Sequence, residues 1–86
     1  MGTPRIVMYT TSWCGFCERA RRIFNEKGVP FEELDVEAEP RNRAEMRERS
    51  GRTSVPQIFI GDHHVGGSSD LAALEKEGKL DSLLDR

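Results

Sequence analysis

The chain has 86 residues and a formal net charge of -2, with 36% hydrophobic and 33% charged residues. That length suits a single domain, expected over residues 1–86, with a thin core, because a domain this small buries only about 60–65% of the surface its unfolded chain exposes. The slightly acidic balance argues against a nucleic-acid binder or a basic membrane-surface protein. No apolar run nears the ~18–20 residues that span a bilayer, and Pro4 and Arg5 interrupt the start with no apolar signal-peptide core, so a cytoplasmic location is expected.

In chain order, Arg5 to Thr10 (RIVMYT) reads as a buried strand. From Cys14 the period changes: Cys17, Ala20, Ile23 and Phe24 fall at helical spacing, and Glu18, Arg19, Arg21, Arg22 and Glu26 face elsewhere. Gly28 ends that helix and Pro30 prevents it from resuming. Phe31 to Val36 alternates imperfectly and reads as a second strand, and a strand–helix–strand unit of this length predicts two parallel strands. Pro40 and Gly51 bracket a charged helix over Arg41 to Arg49. Its apolar face is only Ala44 and Met46, which places it at the surface.

Gln57 to Ile60 is a short strand, Gly61-Asp62 a turn, and His64-Val65 a brief return strand ending at Gly66-Gly67. Ser68, Ser69 and Asp70 supply helix-capping chemistry before Leu71, Ala72 and Leu74. Gly78 breaks this helix, and Leu80, Leu83 and Leu84 form one last helical turn packed on the core. The order is β-α-β-α-β-β-α, an α/β class. His63 and His64 are neighbours in a strand and point to opposite faces, so they are hairpin residues rather than ligands of one metal. Charge is blocky. Glu32, Glu33, Asp35, Glu37 and Glu39 precede Arg41, Arg43, Arg47, Arg49 and Arg52. Two solvated faces explain this pattern; the functional alternative is that one or two arginines face an anionic ligand near the cysteines.

Cys14 and Cys17 are the only cysteines. A secreted mini-protein of this size usually carries about four to eight. Two thiols fall short of a closed zinc site, and a staple of so short a loop removes little unfolded-state entropy. Redox chemistry remains, against the alternatives of a short structural disulfide or two incidental core cysteines. A strand running into Cys-x-x-Cys and a helix puts Cys14 at the helix N-terminus. Free N–H groups and the helix dipole favour a thiolate there. Cys14 is the candidate nucleophile. Cys17, almost one turn further in and more buried, is placed to attack a mixed disulfide on Cys14.

Four segments in this order resemble glutaredoxins of the small bacterial type, over essentially the whole chain. They are Cys14-Gly15-Phe16-Cys17; Thr53-Ser54-Val55-Pro56 followed by Gln57-Ile58-Phe59-Ile60; Gly66-Gly67; and Ser69-Asp70-Leu71. The resemblance implies a thioredoxin-like fold, a four-stranded mixed sheet with helices on both faces. It implies a cis Pro56 beside the cysteines, turning the Val55 backbone, with Ser54 before it, toward an extended peptide that pairs as an added strand. In this family the peptide is glutathione, a co-substrate rather than a tightly bound cofactor. Ser69 and Asp70 would hold its γ-glutamyl end at the last helix N-terminus, Gly66-Gly67 would let the backbone approach closely, and Phe16 would be the aromatic beside the nucleophile.

The chain departs from the family pattern at three places. Gly15 stands where proline is usual. Thr11 stands where a lysine usually helps the thiolate and the glycyl carboxylate of glutathione, and offers only a hydroxyl; Arg43 is the candidate replacement. Trp13 resembles thioredoxins and some plant glutaredoxins that hold iron–sulfur clusters. The leading expectation is a glutathione-dependent thiol–disulfide oxidoreductase acting on disulfide-bonded or glutathionylated proteins, monomeric, without a metal. The rival is a [2Fe–2S] carrier in which Cys14 of two protomers and two glutathione thiolates hold the cluster, although monothiol carriers usually have serine at the position of Cys17. A thioredoxin-like reductase served by a flavoprotein is a third reading.

Overall fold

The computed structural model describes residues 4–85. Its elements run β1 (Ile6–Thr10), α1 (Gly15–Lys27), β2 (Glu32–Asp35), α2 (Pro40–Ser50), β3 (Gln57–Ile60), β4 (His63–Gly66), α3 (Ser68–Lys76) and α4 (Leu80–Leu83). The strands form one mixed sheet in the order β2-β1-β3-β4. β1 pairs parallel with β2 and antiparallel with β3, as a βαβ unit followed by a return strand requires. β4 pairs antiparallel with β3, with a bulge at Val65: Ile58 faces Gly66 and Phe59 faces His64.

Alternation along β1 divides the core in two. Ile6 and Met8 join Ala20, Phe24, Ile58, Ile60, Leu71, Leu80 and Leu84 on the face covered by α1, α3 and α4. Val7 and Tyr9 join Val36, Met46 and Phe59 on the face covered by α2. The two faces are those of a pleated strand buried on both sides.

The helix ends follow from their residues. Gly28 sits in the left-handed region at φ 70 and its N–H closes α1 on Phe24 and Asn25 carbonyls, the conformation that glycine adopts without steric cost. Asp35 turns β2 into α2: its Oδ1 accepts from the Glu37 and Ala38 N–H groups at 2.8 and 2.9 Å. Those bonds favour the charged carboxylate and lower its pKa. α2 has Pro40 at its first turn and Gly51 as its cap. Of its two apolar residues, Met46 is fully buried and Ala44 is exposed, so one side chain anchors a helix whose outer face is charged.

Two sequence expectations shift. β2 is Glu32–Asp35 rather than Phe31 to Val36: the two outer residues pack into the two cores, and of the ladder only the Val36 N–H bond to the Thr10 carbonyl, at 2.9 Å, runs past the strand's end. The cap of α3 is Gly67; Ser68 is already helical and buried, and Asp70 serves the cap from the third helical position, its carboxylate accepting the Gly67 N–H at 2.9 Å. This is the reach-back half of a capping box.

Candidate active site

β1 ends at Thr10, and the chain turns through residues 11–14 into α1. Cys14 is the N-cap, in extended conformation, and its Sγ accepts the Cys17 N–H at 3.3 Å. A sulfur there takes up one of the donors a helix start leaves free, and negative charge on it is met by that N–H and the helix dipole. As a thiol, Cys14 donates to the Val55 carbonyl at 3.7 Å. Both cysteines are free; Cys14 is half-buried and Cys17 buried.

Cys17 is the opposite kind of thiol. Burial pushes its pKa up to about 12, and its hydrogen bond to Cys14 adds to the rise. The Thr11 backbone, hydrogen-bonded to it, and the Arg21 charge pull weakly the other way. Arg21 is held in place by Glu18 and Glu33 at 3.1 and 2.8 Å. The difference between the two sulfurs is one of depth: one caps the helix, and the other faces the core.

Beside Cys14 lies a cavity of ≈ 340 Å³ lined by Phe16, Arg52, Ser54, Val55, Pro56, Gln57, Gly67, Ser68, Ser69 and Asp70. The Val55–Pro56 bond is cis. Val55 joins the two parts of the site, lining the cavity and offering its carbonyl to Cys14. Trp13 and Phe16, the large hydrophobics exposed to solvent at 90% and 62%, flank Cys14.

Gly66, at φ 112, is packed so closely that a Cβ there would overlap the Asp70 carboxylate. A side chain there would have to displace that carboxylate and hold a backbone conformation that favours glycine. The carboxylate also faces Arg52 Nη1 at 3.8 Å.

Phe16, Ser54, Val55, Pro56, Gly67, Ser69 and Asp70, singled out in the sequence, therefore come together around one cavity. Thr11 and Arg43 do not line it. Thr11 is buried and its contact is with Cys17, through the backbone. Arg43 is half-buried on α2.

Arg52, Gln57 and Ser68 line the cavity without having been singled out as ligand-binding residues. Arg52 belonged to the arginine block that raised the possibility of a cation near the cysteines, but charge alone did not say which of the five arginines faces inward. Gln57 read as strand. His63 is exposed, whereas His64 stacks on Phe59 at 4.8 Å, so the two histidines serve different surroundings. Among the described residues no group of three or more His, Cys, Asp or Glu is placed to hold a metal ion, and Cys14 is the one thiol with solvent access. Among the described residues no helix is long and apolar enough to cross a membrane.

Comparison with known proteins agrees with this geometry. Residues 6–65 match the family model for glutaredoxin. A glutaredoxin of Pseudomonas aeruginosa is 52% identical over 81 residues, covering 94% of this chain and 96% of its own. The solution structure of a Brucella melitensis glutaredoxin superposes with a TM-score of 0.84 at 54% identity, covering 98% of this chain and 91% of that one. The crystal structure of a buckwheat glutaredoxin–glutathione complex superposes with a TM-score of 0.86 at 26% identity, over 95% and 77% of the two chains. With a thiol at a helix N-terminus, a second buried behind it and this match over most of its length, the chain belongs to the glutaredoxin family of thiol–disulfide oxidoreductases.

Proposed function

We propose that the electron donor is glutathione, that Cys14 is the nucleophile and that Cys17 resolves. One observation carries the reading: the sulfur capping α1 touches the carbonyl of Val55, which lines a cavity with charged groups at its far side. An extended thiol peptide laid along Val55 puts its own sulfur against Cys14, its backbone exchanging hydrogen bonds with Val55 as an added strand does. When the Cys14 thiol ionises, it gives up the Val55 carbonyl, which is then available to a peptide N–H. Asp70 takes the ammonium of the γ-glutamyl end. The α3 N–H groups and Arg52 take its carboxylate. The buckwheat relative, solved as a glutathione complex, supports this ligand.

Two reactions follow. With a glutathionylated protein, the Cys14 thiolate attacks the glutathione sulfur, the protein thiolate leaves and takes a proton from water, and Cys14 carries glutathione. A second glutathione thiolate attacks that sulfur, releasing glutathione disulfide and restoring Cys14. With a protein disulfide, Cys14 forms the mixed disulfide. The Cys17 thiolate then attacks Cys14, expels the substrate thiolate, and leaves a Cys14–Cys17 disulfide that two glutathiones reduce. The protein acts as a monomer in the cytoplasm, on disulfide-bonded and glutathionylated proteins.

A coupled assay tests the donor. A small glutathione mixed disulfide, glutathione and glutathione reductase should consume NADPH in proportion to added protein. Turnover supported only by a flavoprotein dithiol reductase, with none from glutathione, would overturn the reading.

A further inference from the structure

We propose that Gln57, oriented by His64, is a positioning residue that holds the Ser54–Val55 wall of the cavity against Cys14. Gln57 is almost fully buried. Its side-chain nitrogen donates to the Ser54 carbonyl at 3.0 Å and contacts the Ser54 hydroxyl at 3.2 Å. Its side-chain oxygen meets His64 Nε2 at 2.8 Å. Among the described residues, residues 53–56 make no backbone–backbone hydrogen bond of their own. The Gln57 amide ties this stretch to the sheet, one residue before the Val55 carbonyl that reaches Cys14.

The amide can face only one way. A carbonyl oxygen accepts and never donates, so the nitrogen must point at Ser54. The oxygen then points at His64, and Nε2 must carry a proton. An Nδ1–H histidine would set two acceptors face to face and favour a flipped amide, which would turn its oxygen toward the Ser54 carbonyl.

His64 is itself fixed. It stacks on Phe59 with 23° between the rings, and Phe59 is covered by the Arg49 guanidinium at 4.0 Å and met edge-on by Tyr9. Burial, then the Arg52 charge, lowers the His64 pKa and keeps the ring neutral near neutral pH. A train of contacts therefore runs from Phe59 through His64, Gln57 and Ser54 to the residue that faces the nucleophile.

The inference rests on the glutathione reading for its kinetic consequence, so the experiment has two independent arms. In the first, Gln57→Met and His64→Phe are assayed with a small glutathione mixed disulfide, with thermal melts as the check on folding. Losing the amide's bonds should raise KM roughly three- to tenfold with kcat nearly unchanged. His64→Phe, which keeps the ring stack and loses only the orienting proton, should raise KM less.

In the second arm, nitrogen NMR on the wild-type protein, which needs no glutathione, should show His64 as the Nε2–H tautomer. It should also show Gln57 side-chain amide protons protected from exchange, with that protection lost in His64→Phe. A folded Gln57→Met with unchanged KM, or an Nδ1–H tautomer at His64, overturns the inference. Should Gln57→Met fail to fold, His64→Phe and the NMR arm decide. Should wild type ignore glutathione, the proposed donor falls and the NMR arm alone judges the clamp.

Discussion

The two walls of the cavity are built in different ways. The cysteine wall is the first turn of α1: a sulfur, a ring and backbone N–H groups, placed by regular helix geometry. The facing wall is irregular chain from Arg52 to Pro56 and the start of α3. It is held by a buried amide, a glycine pressed on a carboxylate and a loose ion pair. Reactivity needs one atom in a field that a helix end provides. Recognition needs several groups at separate points along a ligand, which a loop folded against a second helix start supplies and a single helix turn does not. Changes to the first wall should therefore decide whether chemistry happens, and changes to the second should scale how well a ligand is held.

The largest effect belongs to the first wall. Cys14→Ser should abolish both deglutathionylation and protein-disulfide reduction, because a serine hydroxyl is not ionised at neutral pH and cannot replace the thiolate. Cys17→Ser should keep deglutathionylation and lose protein-disulfide reduction, since only the second uses an internal resolver. Parallel assays on a glutathionylated peptide and a protein disulfide separate these. A folded Cys17→Ser protein lacking both activities would show that the roles are wrongly divided.

The depth of Cys17 gives the first wall a pH signature. A thiol is neutral below its pKa, so a resolver pushed up to about 12 is mostly protonated at neutral pH and gains thiolate as pH rises. Burial, the largest cause, remains when Cys14 is tied up in a mixed disulfide. The contribution of the Cys14 thiolate does not, so Cys17 becomes more acidic once it has an attack to make. A chromogenic aryl thiol loaded on Cys14 should be expelled at a rate that climbs with pH across the neutral range, approaching about tenfold per unit. A flat rate would mean that thiolate formation at Cys17 does not limit resolution.

The contrast between the walls also marks what the amino-acid pattern made legible. The strands, α1 and the place of both cysteines follow from hydrophobic period, Gly28 and Pro30, because each depends on neighbours close in sequence. The facing wall joins residues 52–57 to 66–70 across a hairpin; Ser54, Val55, Pro56, Gly67, Ser69 and Asp70 were marked by the family's motifs, whereas Arg52 and Gln57 carry no mark of their own. Arg52 looks like any member of a charged block until Asp70 is seen opposite it. Gln57 lies in a strand whose other residues are apolar, and nothing in QIFI says that its amide bonds Ser54 and His64. Asp70 was legible as capping chemistry near the right helix, but the cap itself passed to Gly67, whose N–H the carboxylate holds. For α2, the lone anchor Met46 gave too little apolar signal to predict which side faces the sheet.

On the second wall Asp70 should matter most. Asp70→Ala removes the proposed ammonium partner and the acceptor for the Gly67 N–H together. We expect KM for a glutathionylated substrate to rise about tenfold, the loss of one charge-assisted hydrogen bond, with little change in the rate from bound substrate. Gly66→Ala should act in the same direction without touching the charge, because its Cβ displaces that carboxylate and its φ disfavours alanine. Equal KM values for wild type and a folded Asp70→Ala protein would remove the γ-glutamyl end from this part of the cavity.

The smallest effects test which arginine serves the wall. Arg52 lines the cavity and faces Asp70, with both side chains about half exposed, at 54% and 53%. A charge in that setting is screened by water, and its loss is worth only about 0.5–1 kcal/mol, or roughly a two- to fivefold rise in KM. Arg43 sits on α2 away from the lining, so Arg43→Ala should change KM by less than Arg52→Ala does. Thr11 is buried beside Cys17, so the ammonium of Thr11→Lys would either stay desolvated at a cost or have to reach past its neighbours to solvent before it met a carboxylate. Raising the salt concentration should shrink the Arg52→Ala effect, because exposed charges are screened over about 10 Å at 0.1 M. If Arg43→Ala proved the more damaging and Thr11→Lys improved glutathione use, the glycyl carboxylate would lie along α2 and the strand end. The charged end of the cavity would then be only half of the ligand's path.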